Sequence, residues 1–204
     1  MSAVSAPVAC PIASVATAPG APAAVRLRTA TSGDVAALFL LIGRHREAGR
    51  LLPRRLEELR VHAGRFIVAT VGGDMAGCAE LAPLSRAVAE VRSLVVDEPY
   101  RGVGLGGALV EEIKIRARRA GHLTLCAFTH EPRLFVRGGF SLVPHVWIPE
   151  KIATDCHTCP VFRRCGQQAM VFPLRPSGRQ DLIGRTSTSV LPGARPTAPT
   201  RGPG

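Results

Sequence analysis

The sequence predicts an α/β protein, an α+β mixed sheet with helices on both faces, and three observations carry that prediction. Glu90-Val91-Arg92-Ser93-Leu94-Val95-Val96 is short, β-branched and bounded by the turn residues Asp97-Glu98-Pro99, which marks a buried strand. It leads through Arg101-Gly102-Val103-Gly104-Leu105-Gly106-Gly107 into a basic stretch, Ala108 to Arg119, where Leu109, Ile113 and Ala117 recur on one face at helical spacing. Upstream, the runs Phe66–Val71 and Met75–Leu81 flank Gly72-Gly73-Asp74, which signals a hairpin.

The other elements can be read in chain order. Val25 to Arg28 reads as a first strand, and Thr31 or Ser32 caps a helix that runs to about Ala48. Leu51-Leu52-Pro53 breaks the chain before a second helix over Arg54–His62. After the basic helix come a strand at Leu123–Phe128, a short helix from Glu131 to Arg137 and a last strand at Ala169–Phe172. The flanks differ in kind. Met1 to Ala24 carries no charged side chain, lacks the basic start of a signal peptide and is interrupted by Pro7, Pro11, Pro19 and Pro22. Residues 175–204 mix Pro, Gly, Thr, Ser and Arg and bury too little to offset ordering. Both are expected to be disordered (1–24 and 175–204), leaving one folded domain over 25–174.

Charge narrows the partners. The 204 residues carry a net charge of +11, but only Lys114 and Lys151 are lysines, and Arg175, Arg179, Arg185, Arg195 and Arg201 place part of the excess in the tail. With one Trp and one Tyr, no basic run is interleaved with aromatics, so a base-stacking surface is disfavoured and no nucleic-acid partner is expected. No segment approaches the roughly 20 apolar residues that span a bilayer, so no membrane partner is expected either, and the protein reads as cytoplasmic. Oligomeric state is not legible, and a homodimer is left open.

The glycine segment carries the chemistry. A glycine turn opening a helix aims several backbone N–H groups at one point beside the positive end of the helix dipole, a site for phosphate. Two common phosphate motifs fail. Gly102-x-Gly104-x-x-Gly107 matches a dinucleotide fingerprint, but that site needs a carboxylate about 20 positions on. Here that stretch is Leu123-Thr124-Leu125-Cys126-Ala127-Phe128. No Gly-Lys-Ser/Thr comes after the glycines, so a P-loop is ruled out.

The segment Glu90 to Gly106 resembles the cofactor motif of the GNAT superfamily of N-acetyltransferases, Arg/Gln-x-x-Gly-x-Gly/Ala after a strand, and Phe135-Val136-Arg137-Gly138-Gly139-Phe140 is similar to its closing Tyr/Phe-x-x-x-Gly-Phe. The resemblance implies the acyl-CoA N-acyltransferase fold, with a mostly antiparallel sheet, and acetyl-CoA as co-substrate. Leu94, Val95 and Val96 would then hold the pantetheine arm, and Arg101, Gly102, Val103, Gly104, Leu105 and Gly106 the pyrophosphate. Three further segments narrow it. These are Gly49-Arg50-Leu51-Leu52-Pro53-Arg54, Ala89-Glu90-Val91-Arg92-Ser93-Leu94, and Lys151-Ile152-x-x-Asp155-Cys156-x-x-Cys159-Pro160-x-Phe162-x-x-Cys165 with Ala169-Met170 beyond it. They look like the short, single-domain bacterial N-acetylglutamate synthases, which implies transfer of acetyl to the α-amine of glutamate, the entry step of arginine biosynthesis.

A dicarboxylic acceptor needs cationic partners, and arginine offers a bidentate fork. Arg92, on the motif strand, is the first candidate, with Arg54 and Lys151 behind it. The amine must lose its proton before attack; Glu90 stands where several acetyltransferases keep a general base, the alternative being a structural salt bridge. A backbone N–H near Leu94 or Val95 would meet the oxyanion. The family's usual general acid is a Tyr just before the closing Gly-Phe; Phe135 occupies that region, so the sequence names no acid. Two alternatives stay open: the same chemistry on another amine, such as glutamine, another amino acid or a protein N-terminus, and a non-catalytic acyl-CoA or amino-acid sensor, which the missing Tyr keeps alive.

Cys156-x-x-Cys159 with Cys165 has half the appearance of a zinc site and would need His145 or His157 as a fourth ligand. The expectation is reduced thiols packed in a C-terminal loop, and no metal. Cys126, inside an apolar strand, is expected in the core.

Overall fold

Residues 24–47, 54–159 and 161–174 are described by a computed structural model, in which the apolar runs become one seven-stranded sheet. The strands are β1 (Val25–Thr29), β2 (Phe66–Val71), β3 (Asp74–Pro83), β4 (Val88–Val96), β5 (Thr124–Thr129), β6 (Ser141–Val143) and β7 (Gln168–Pro173). The helices are α1 (Val35–Glu47), α2 (Leu56–His62), α3 (Leu105–Arg119), α4 (Pro132–Arg137) and α5 (Pro149–Thr154). The order across the sheet is β1-β2-β3-β4-β5-β7-β6, and among the described strands only β4 and β5 run parallel. That parallel pair is joined by α3, as a parallel connection requires.

The sheet is covered on both faces. Leu109, Ile113 and Ala117 of α3 are fully buried against Ile67, Ala79, Ala89, Val91, Leu125 and Ala127. The opposite face carries Phe66, Val68, Cys78 and Val95, packed under Leu38, Leu41 and Ile42 of α1 and Leu59 of α2. Burial pushes the Cys78 thiol up to about 12, and Cys126, also fully buried, is raised by the same cause. Both are core thiols. Lys114 of α3 is buried too. Its Nζ donates to the Gly138 carbonyl at 2.6 Å and to Glu111 at 2.5 Å, and lies 4.3 Å from the centroid of the Phe172 ring, tying α3 to the turn after α4.

One irregularity in β4 decides which of its residues share a face. Along the β3–β4 ladder Cys78 faces Val95 and Glu80 faces Arg92, so two steps on β3 match three on β4. The extra residue is a β-bulge, and Ser93 sits there at φ 47°, the one described non-glycine residue in the left-handed region. Before the bulge Glu90 and Arg92 share the face of α1 and α2; after it, Val95 takes that face while Leu94 and Val96 turn toward α3. Gly77 lies beside this kink. A Cβ there would stand 2.7 Å from the Val95 carbonyl and 3.3 Å from Leu109 Cδ1. Gly77→Ala is therefore expected to cost about 1–3 kcal/mol, as overpacking does, read as a lowered urea midpoint with an unchanged m-value.

Several boundaries differ from the sequence reading. Thr31 opens a 3-10 turn, Ser32–Asp34, before α1. Asp34 accepts from the Thr31 N–H at 2.7 Å, and hydrogen bonds from Arg28 hold its carboxyl well below the usual range. α2 starts at Leu56 rather than Arg54, and β4 begins two residues earlier than expected. α3 begins inside the glycine motif, at Leu105, because the turn itself supplies its N-terminus. β6 and α5 escaped the sequence reading: three and six residues show no period. The predicted disordered flanks (residue 24 excepted), the end of the first helix at Ala48 and the break at Leu51-Leu52-Pro53 lie outside the described residues.

Candidate active site

The site begins where β4 and β5 part. They pair only from Val88–Thr124 to Val91–Ala127, although both strands continue. From Arg92 onward the β5-facing edge of β4 has no strand partner among the described residues. Asp97 N–H donates to the Ala76 carbonyl of β3 at 2.9 Å, so the preceding residue, Val96, turns its own N–H and carbonyl toward the opening. An unpaired strand edge of this kind can accept an extended amide chain as an added strand.

The glycine turn closes one end of that opening. Asp97 fixes it: Oδ1 accepts from Glu98 N–H at 3.2 Å and Oδ2 from Arg44 Nη2 at 3.0 Å, which ties the turn to α1. Gly102 and Gly104 take φ values of 81° and 86°, the region that favours glycine. Gly104 caps α3 without a side-chain hydrogen bond, and the first turn of the helix holds no acidic residue. The orphan N–H groups of that turn thus face a cleft of about 560 Å³ lined by Val96, Tyr100, Arg101, the turn glycines, Leu134 and Arg137, among others. These features fit a diphosphate-bearing cofactor. Arg101 sits at the mouth, its Nε donating to the Val96 carbonyl at 3.2 Å and its Nη2 3.4 Å from His45 Nδ1.

Of the residues expected to hold the cofactor, Val96, Arg101, Gly102, Gly104, Leu105 and Gly106 line this cleft. Val103 points outward, 73% exposed, and the Val95 side chain is buried under α1. Leu94 packs at the edge of the α3-side core. Tyr100, Leu134 and Arg137 are additional wall residues.

A second cluster occupies the other face of β4. Glu90 is almost wholly buried, and Lys151 Nζ donates to both of its carboxylate oxygens at 2.8 Å, while Arg92 Nε donates to one at 2.5 Å. Asp155 bridges the same two cations, accepting from Lys151 Nζ at 2.8 Å and from Arg92 Nη2. Burial opposes the charge on Arg92, but Glu90 and Asp155 outweigh it and hold the guanidinium above its ordinary pKa. Lys151 also lies 5.3 Å from the centroid of the Phe128 ring. Arg54 stands behind this group: it pairs with buried Glu80 at 2.7 Å and with Glu58 at 3.1 Å, and Glu80 is the cross-strand partner of Arg92. The four residues singled out from the sequence, Glu90, Arg92, Lys151 and Arg54, therefore fall in two adjoining polar groups, with Arg54 beside the cluster that holds the other three. Two members were missed. Asp155 was signalled by its i,i+4 spacing to Lys151, and Glu80 by a carboxylate in an otherwise small and apolar strand.

Cys156, Cys159 and Cys165 are free and partly buried, and burial raises the Cys156 thiol. Among the described residues no three His, Cys, Asp or Glu side chains converge as a metal-holding group. No described helix is long and apolar enough to cross a membrane.

A sheet that opens beside a bulged strand, above a glycine turn with no side-chain cap, suits a cofactor with an amide-bearing arm and a diphosphate. Residues 35–135 match the Acetyltransferase (GNAT) family. An uncharacterized N-acetyltransferase of Chlorobaculum tepidum is 31% identical over 148 residues, which are 72% of this chain and 96% of the relative. The chain belongs to the GNAT family and uses acetyl-CoA as its acetyl donor. An amino-acid acetyltransferase of Azotobacter vinelandii is 38% identical over 105 residues, 51% of this chain and 24% of that protein. The N-acetylglutamate synthase of Neisseria gonorrhoeae, solved with coenzyme A and N-acetyl-glutamate, superposes with a TM-score of 0.68 at 28% identity, over 75% of this chain and 36% of its own. This chain thus spans about a quarter and about a third of the length of the last two.

Proposed function

We propose that the acceptor is the α-amine of an amino acid, with L-glutamate first, and that acetyl passes to it directly in a ternary complex, as in N-acetylglutamate synthesis. The observation that carries the reading is the Arg92–Glu90–Lys151–Asp155 cluster at the point where β4 leaves β5. Arginine and lysine side chains held there by buried Glu90 and half-exposed Asp155 are preorganised for carboxylate recognition. The amino-acid acetyltransferase among the relatives and the N-acetylglutamate synthase structure support the same reading.

Each residue then has a task. The turn from Arg101 to Gly106 holds the diphosphate, and the free edge of β4 at Val96 holds the pantetheine amides. Acetyl-CoA supplies an activated thioester. Arg92 takes an acceptor carboxylate with its remaining Nη1, and Lys151 fixes the orientation of Glu90. The contacts favour Glu90 as an anchor for the two cations: three of its roughly four lone-pair positions are already engaged. Water on the more exposed Asp155 side takes the proton from the amine.

The test is release of free coenzyme A from acetyl-CoA with glutamate, glutamine, aspartate, lysine and a short peptide. Turnover highest with glutamate supports the reading; turnover with the peptide alone, or with no amine, rejects it. Arg92→Ala is expected to raise the glutamate KM about 10- to 100-fold, the worth of a charged hydrogen bond, while the acetyl-CoA KM stays within about twofold. One observation favours glutamine as the second reading: two cations facing two carboxylates leave the cluster near neutrality, which suits an acceptor with a single carboxylate. The same panel separates the two.

A further inference from the structure

The wall of the cofactor cleft that faces the glycine turn is built by α4, and its charges are unmatched. Arg133 and Arg137 stand one turn apart on this helix, both exposed. Neither makes a hydrogen bond or ion pair with any described residue. Two like charges at this spacing cost a few tenths of a kcal/mol in a helix, and an anion lying between them reverses the sign. Arg137 lines the cleft itself. The carboxylate that shares the cleft, Glu111, is already engaged by Lys114 Nζ at 2.5 Å, and Glu131 lies at the far end of α4, before its first turn.

The diphosphate does not need this wall. The glycine amides, the uncapped first turn of α3 and Arg101 all stand together on the β4–α3 side of the cleft. Coenzyme A carries one more phosphate, a dianion on the 3′ oxygen of its ribose, which these groups leave unserved. An arginine fork meets a phosphate with two parallel N–H···O bonds.

We propose that Arg137, supported by Arg133, is the site for the ribose 3′-phosphate, and that it makes the enzyme select coenzyme A over its 3′-dephospho form. The pair acts at long range as well. It adds positive potential at the cleft mouth, which raises the association rate for an anionic cofactor at low salt.

The experiment is calorimetric titration of the full chain with coenzyme A and with 3′-dephospho-coenzyme A, which reads binding without turnover and does not depend on the acceptor. The wild-type protein should bind coenzyme A about tenfold more tightly, the scale of one charge-assisted pair at a solvent-accessible site. Arg137→Ala should erase that difference by weakening coenzyme A alone, Arg137→Lys should restore part of it, and Arg133→Ala should reduce it by about twofold. Circular dichroism confirms that each variant is folded, as expected for exposed side chains. Equal weakening of both ligands by Arg137→Ala would assign the residue to the diphosphate and overturn the proposal. So would an unchanged affinity for both, or a wild-type protein that does not discriminate.

Discussion

Gly104→Val is expected to weaken coenzyme A binding by about 5- to 150-fold while leaving the fold intact. The range comes from the cost of about 1–3 kcal/mol for holding a residue with a Cβ in a sparsely allowed backbone region, and a β-branched side chain lies at its upper end. Steric contact within the free protein is not the cause: a Cβ at this position meets no atom of a described residue within 4 Å, its own chain neighbours aside. The cost is the φ of 86° that the turn requires. Relaxing it re-aims the N–H groups that open α3, so affinity falls more than stability. Gly104→Asn separates the causes, because asparagine tolerates the left-handed region. If asparagine binds coenzyme A nearly as the wild type does and valine does not, backbone conformation decides. If both fail equally, the space beside Gly104 is itself the cradle. Calorimetry showing wild-type affinity in the valine variant would remove this turn from the cofactor site.

Lys151→Met is expected to lower folding stability by about 3 kcal/mol. Glu90 is 3% exposed and Lys151 9%, and removing one partner leaves an undercompensated charge where water cannot reach it. Arg92 remains on one carboxylate oxygen, which keeps the loss at the lower end of the range for buried pairs. The double variant Lys151→Met/Glu90→Gln should recover much of the loss, since it removes the charge that was stranded. Urea unfolding reads both, with the m-value as a check on two-state behaviour. A single-variant cost under about 1 kcal/mol would mean that Glu90 is solvated and that the cluster is a surface ion pair.

The sequence made α3 and every described strand but β6 visible because each is long enough to show a period: Leu109, Ile113 and Ala117 fall on the buried face they were expected to take. The two motifs were legible for the same reason that they work, since only glycine supplies the turn at Gly102 and Gly104. The cluster was half legible. Glu90, Arg92, Lys151 and Arg54 could be named one by one, but their convergence depends on β4, α5 and the approach to α2 meeting in space, with Glu90 and Lys151 61 positions apart. Nothing local in Ser93 announces a bulge. Strict alternation from Glu90 to Val96 would have put Leu94 and Val96 on the face of Arg92, and the structure puts them opposite.

That single inserted residue has a consequence for how such an enzyme changes over time. Because the alternation is reset between Arg92 and Leu94, the proposed donor and acceptor sites lie on different sides of one strand. On that proposal, substitutions before Ser93 would retune which amine is accepted without disturbing the donor side, and substitutions after it would do the reverse. Two chemical specificities would become separately heritable on nine consecutive residues. Loss of one residue from the kink would put them back in phase and merge the two addresses into one.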